Sequence, residues 1–254
     1  MALGLLSLIS TPAPALDTAT AACSIGEWEA AWTKVLNRHV DDEGRIDFDS
    51  LRRNHADLDL IVAFVAAVDP MSQPRQFPDK HSRLAFYLNA YNALAMYGVV
   101  QTGVPESLGS LRKFAFFYLR KFAIGGKPTS LSKFENDVIR PLGDERMHFA
   151  LNCMVVGCPR LPRVAFSAAA LDGQLDTAAR SFIGETRNVW IEQAKREVWL
   201  SAIFDFYAKD FLAHAPSLVA YVNRYRAAQI PSDFKVHFLE YHWTVNHRKW
   251  AYVR

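Results

Sequence analysis

The sequence predicts an α+β fold: a single domain in which a mainly antiparallel sheet packs with several helices. Three observations carry that prediction. Half of the 254 residues are hydrophobic and 13% are aromatic, enough for one packed core. Two hairpin signals stand among the helical stretches, one at Gly125-Gly126 and one between Ile191 and Val198. Helices and strands show no regular βαβ alternation, which argues against a doubly wound or barrel architecture.

Taken in order, Ser24 and Glu27 have capping-box spacing and open a helix through Val40, with Trp28, Trp32, Val35 and Leu36 near one face. "DDEGRIDFDSLRR" reads as a tight turn, a short extended piece and a helix start at Asp49 or Ser50. Residues 56–68 form a helix ended by Asp69-Pro70, and residues 81–103 form the most strongly helical stretch. Inside the latter, Asn89 and Asn92 sit three apart on one face of an apolar helix. Buried asparagines need hydrogen-bond partners, so they either brace a neighbouring loop or form the polar wall of a site. "RKFAFFYLRKF" reads as a sheet segment or apolar loop with solvated Lys and Arg. Ser132 and Glu135 give a second capping box, heading a helix to Arg140. "ERMHFALNC" reads as a buried strand, and residues 165–183 as a helix capped by Ser167. Residues 200–214 and 217–228 read as helices, and residues 234–243 as a final strand.

The charge balance is close to even, at +3, and the basic residues are spread along the chain, so nucleic acid is not an expected partner. Residues 2–9 form a short apolar run and Ala13-Pro14-Ala15 a small-residue processing site. We therefore expect residues 1–22 to be an export leader, residues 23–254 to be one domain, and the protein to be periplasmic or secreted. No later apolar run reaches the roughly 20 residues of a membrane span. No phosphate loop, dinucleotide fingerprint, serine-hydrolase elbow or zinc-protease motif occurs, and no cofactor is expected.

"HFALNCMVVGCPRL", residues 148–161, concentrates the chemistry. Cys153 and Cys158 admit several readings: a disulfide closing a short turn, a reactive thiol, metal ligands together with His148, or inert buried cysteines. The metal reading matches no standard zinc spacing, and none is expected. On an extended strand His148 and Cys153 point to opposite faces, so a histidine base for the thiol is sought elsewhere, among His237, His242 and His247. Asp205 and Asp210 could be paired carboxylates for glycoside chemistry, but five apart on one helix they diverge by roughly 140° and read as separate helix-face residues.

Several stretches together resemble the domain of unknown function DUF547: "GRIDFDSL", "LAFYLNAYNAL", "LSKFENDVIRPLGDERMHFALNC...GCPRL", "LSAIFDFYAKDF" and "FLEYHWTVN". The resemblance spans roughly residues 40–246. It implies that Asn89, Tyr91, Asn92, Glu135, Arg140, His148, Cys153, Cys158, Pro159 and Asp205 belong to the family pattern, without assigning them roles. Two places depart from that pattern. "MVVG" replaces a small residue followed by serine before the second cysteine, and His242 stands where aspartate is common.

Two functional expectations follow. As an enzyme, the chain would be a thiol-dependent acyl hydrolase or transferase, with Cys153 as nucleophile, His242 as base, and Asn89 or Asn92 as orienter or oxyanion donor. As a binding or scaffold domain, a Cys153–Cys158 disulfide would shape a loop beside a pocket for a small polar or peptide-like ligand. Tyr91, Glu135, Arg140 and His148 are the candidate binding residues in either case. The sequence leaves the oligomeric state open.

Overall fold

The computed structural model describes residues 23–250; the expected leader, residues 1–22, lies outside them. Among these residues the helices are α1 (Ile25–His39), α2 (Phe48–Arg53), α3 (Ala56–Ala67), α4 (Lys80–Gln101), α5 (Leu111–Phe114), α6 (Leu131–Phe134), α7 (Leu171–Gly184), α8 (Ala202–Phe206), α9 (Ala208–Leu212) and α10 (Leu218–Asn223). Strands β1 (Phe122–Ile124) and β2 (Lys127–Thr129) form an antiparallel hairpin. Strands β3 (Val189–Glu192), β4 (Glu197–Leu200) and β5 (Lys235–Phe238) form a second sheet. There β3 and β4 pair antiparallel with Val189 opposite Leu200, while β4 and β5 run parallel with Val198 opposite Val236. The fold is α+β as expected, with one parallel pairing.

Helix α4 is the axis of the main core. It is apolar on every side and buried almost continuously from Leu84 to Val100, which is how a helix packed all round reads. Its start is fixed by Asp79, whose carboxylate accepts from Ser82 N at 2.8 Å. α1 lays Trp28 and Trp32 against this core, and its capping box at Ser24 and Glu27 forms as expected. Gly125 and Gly126 have φ of +54° and +76° in the hairpin turn; a Cβ on Gly125 would meet the Asp69 Cβ at 2.7 Å. A second, aromatic cluster gathers Phe149, Phe182, Phe204, Phe211 and Tyr221 beside the three-stranded sheet.

Five local expectations need correction. Residues Glu145–Phe149 form a 3-10 helix rather than a strand: Asp144 caps it by accepting from Arg146 N. A short apolar run does not distinguish a strand from a buried helical segment by periodicity. The "RKFAFFYLRKF" stretch is helical, α5 continuing into a π-helical turn at Ala115–Leu119. The cap of α6 is Ser130, not Ser132, so Glu135 is not part of a capping box. The single helix expected over residues 200–214 breaks at Tyr207, whose φ and ψ are −120° and 26°. The last strand is also shorter than expected, leaving the sheet after Phe238.

Candidate functional site

The two asparagines of α4 organise the site from beneath. Asn89 donates to Phe166 O at 2.8 Å and accepts from Phe166 N at 2.9 Å. Asn92 donates to Ala150 O at 3.0 Å and accepts from Asn152 N at 2.7 Å. Each amide therefore clasps both backbone groups of a chain that passes over the helix, and both asparagines are buried. Neither lines the pocket described below. Asn152 continues the clasp: it donates to Pro159 O and accepts from Met154 N, which holds the buried Met154 at a φ of +67°.

The loop fixed in this way carries Cys153 and Cys158, which are joined by a disulfide with Cα atoms 6.2 Å apart. Gly157 lets the C-terminal segment close over it, since a Cβ there would lie 2.9 Å from the Tyr241 ring. The Tyr241 hydroxyl lies 3.2 Å from Cys153 Sγ and 3.3 Å from Cys158 Sγ; neither sulfur carries a proton, so the phenol donates.

This loop walls a cavity of about 310 Å³ together with α4, α6, α8 and the π-helical turns. The chain after α6 makes a π-helical turn at Glu135–Ile139, closed by Arg140 N donating to Glu135 O. Closure over five residues brings Glu135 and Arg140 to one side, where a regular α-helix would splay them by roughly 140°. Both line the cavity. Glu135 is buried, accepting from Tyr207 Oη at 2.5 Å and Tyr91 Oη at 3.2 Å. Burial first, and the Glu135 charge second, hold the phenols of Tyr91, Tyr207 and Tyr241 above their ordinary range, so all three remain donors.

Arg140 forms a two-pronged pair with Asp210: Nε to Oδ2 at 3.0 Å and Nη2 to Oδ1 at 2.9 Å. His148 Nε2 lies 2.8 Å from the same Asp210 Oδ2, and its ring stacks on Tyr207 with centroids 3.8 Å apart. An ionised carboxylate only accepts, so Nε2 bears the proton, and Nδ1 is the acceptor when the ring is neutral. The hydrogen bond from His148, followed by those from Arg140, keeps the Asp210 carboxyl well below the usual carboxylate range. The break at Tyr207 puts both Tyr207 and Asp210 within reach of this network, whereas Asp205 remains apart from it.

The 3-10 conformation also overturns the opposite-face argument, because His148 and Cys153 line the same cavity. So do Tyr91, Glu135, Arg140, Cys158 and Pro159. His242 is exposed and is not among the lining side chains, and Asp205 is exposed on α8. Tyr207, Asp210 and Tyr241 are the participants that sequence reasoning missed. Among the described residues no group of three His, Cys, Asp or Glu side chains is placed to hold a metal ion, and no helix is long and apolar enough to cross a membrane. A second cavity, of about 900 Å³, is lined by small residues such as Ala169, Ala170 and Gly173. Its Arg160 and Arg163 are paired with Glu185 and Asp42, so they hold no uncommitted charge for a ligand.

The model of one family, described as protein of unknown function, DUF547, matches residues 74–183. No curated protein and no solved structure matches the chain. The matched span holds Tyr91, Glu135, Arg140, His148 and both pocket cysteines, while Tyr207, Asp210 and Tyr241 come from beyond it.

Proposed function

With residues 74–183 a DUF547 segment whose family description carries no activity, we propose that the chain is a binding domain for a small peptide-like ligand bearing a free ammonium group. The observation that carries this reading is Glu135: a buried, cavity-lining carboxylate that receives two phenol hydrogen bonds and forms no ion pair among the described residues. A buried carboxylate hydrogen-bonded only by neutral phenols, with the nearby Arg140 committed to Asp210, gains from a further cationic partner. The surrounding aromatic rings favour the same guest through their faces. The wall already receives one such group, since Lys113 Nζ sits 4.6 Å from the centre of the Trp243 ring. The cavity is near the lower end of the size range for small-molecule sites. Calorimetric titration with alanyl-alanine and its N-acetylated form tests the proposal. The free dipeptide is expected to bind, the acetylated one to bind at least ~10-fold more weakly, and Glu135→Gln to abolish that difference. Equal binding of the two dipeptides by the unaltered protein would overturn it.

A second reading is supported by the His148–Asp210 pair on the same cavity as Cys153. With the disulfide reduced, Cys153 would be a thiol-dependent acyl nucleophile and His148, rather than His242, the candidate base. Alkylation with iodoacetamide before and after reduction separates the two readings. We expect Cys153 and Cys158 to be modified only after reduction; immediate modification near neutral pH would favour the enzyme. Export to an oxidising compartment is part of the proposal, and the pocket disulfide is the kind of bond such a compartment preserves.

A further inference from the structure

The segment that contributes Lys113, Phe117 and Tyr118 to the cavity lining has a property that ligand binding does not use. Residues 111–121, "LRKFAFFYLRK", contain four cations and no acid. Its fold, α5 followed by the π-helical turn, divides the side chains between two destinations. Phe116 and Phe117 enter the core, whereas Leu111 is 87% exposed and Phe114 55%, with Tyr118 and Leu119 about half exposed. Leu111, Phe114 and Tyr118 follow the i, i+3, i+7 spacing of one helical face, and the Phe114 and Tyr118 rings stack with centroids 5.5 Å apart. Arg112, Lys113 and Lys121 are exposed beside them, and Arg120 is half-buried. None of the four forms an ion pair among the described residues. Large apolar side chains left in water on one short segment are unusual for a surface without a partner.

We propose that residues 111–121 seat the protein on an anionic lipid surface. Leu111, Phe114 and Tyr118 would enter the headgroup–acyl boundary, with the exposed Arg112 and Lys121 facing lipid phosphates. An anionic membrane answers both features at once, because buried apolar area and attraction to anionic lipid together set the strength of such interfacial binding. Lys113, Phe117 and Tyr118 also line the cavity, and the half-exposed Phe206 stands at its wall. Seating this face on lipid therefore brings the cavity to the membrane surface. The proposal does not depend on what the cavity binds.

Co-sedimentation of the full chain with vesicles provides the test. Vesicles of equal phosphatidylglycerol and phosphatidylcholine are compared with phosphatidylcholine alone, at about 0.1 M salt. Binding to the anionic vesicles is expected, with at least ~10-fold weaker binding to the neutral ones. Leu111→Glu combined with Phe114→Glu should remove it. Arg112→Gln combined with Lys121→Gln should weaken it by about tenfold or more, and both variants alter exposed side chains that do not line the cavity. Circular dichroism confirms that each variant is folded. Equal binding by the folded variants, or no binding by the unaltered chain, would overturn the proposal. So would capture of a labelled single-stranded oligonucleotide without vesicle binding, which would assign the same segment to nucleic acid.

Discussion

Replacing Asn92 with leucine is expected to lower the unfolding free energy by about 3 kcal/mol, measured by urea denaturation at neutral pH. Leucine keeps the branched outline and the four heavy atoms of the asparagine side chain, so the loss comes from hydrogen bonding rather than from a cavity. It would leave Ala150 O and Asn152 N–H unpaired beside a buried helix, and each such orphan costs about 1–3 kcal/mol. Asn92→Asp should cost at least as much. A carboxylate can still accept from Asn152 N, but it faces Ala150 O with a second acceptor and takes a charge into the core. A loss below about 0.5 kcal/mol for Asn92→Leu would mean that the clasp is dispensable and that the disulfide loop is held from elsewhere. Asn89→Leu probes the equivalent clasp on Phe166 and separates the effect of this loop from that of losing any buried amide.

What the sequence made legible was local. α1, α3, α4 and both hairpins rest on signals contained within a few turns of chain: the capping box at Ser24 and Glu27, the unbroken apolar run around Asn89 and Asn92, and the Gly125-Gly126 turn. The need of those asparagines for partners was also readable, because a buried amide must bond to something. What they bond to was not, since Phe166 lies 77 residues from Asn89. The errors fall where a local rule had two outcomes. An apolar run of 3-10 length looks like a strand, and a serine near Glu135 looks like a cap. At Tyr207 no glycine or proline announces a helix break, yet the break lets Tyr207 reach Glu135, 72 residues away, and Asp210 reach Arg140, 70 residues away. Tyr91, Glu135, Arg140, His148 and the cysteines were singled out, and they share one cavity. The assignment of His148 to a different face from Cys153 failed because it followed from the strand.

The second large effect is a pH dependence centred on Asp210. This carboxylate holds His148 Nε2 and both arms of Arg140, and with about a quarter of its side chain exposed it is only partly screened. Its folded pKa is depressed, so its contribution to stability is present above the unfolded value, roughly 3.9, and fades as pH falls toward the lower folded value. Asp210→Asn keeps the shape but removes the titration. The variant should therefore be less stable than the unaltered protein by about 2 kcal/mol at pH 6, and the difference should shrink by roughly 1.5 kcal/mol as pH is lowered to 2.5. Urea denaturation of both proteins across that range reads the difference directly, and carboxylates common to the two cancel. If the gap stays constant, the Arg140–Asp210–His148 arrangement contributes through shape alone. If it closes, the charge on Asp210 holds His148 in place, and acid should loosen that wall of the cavity before it unfolds the main core around α4.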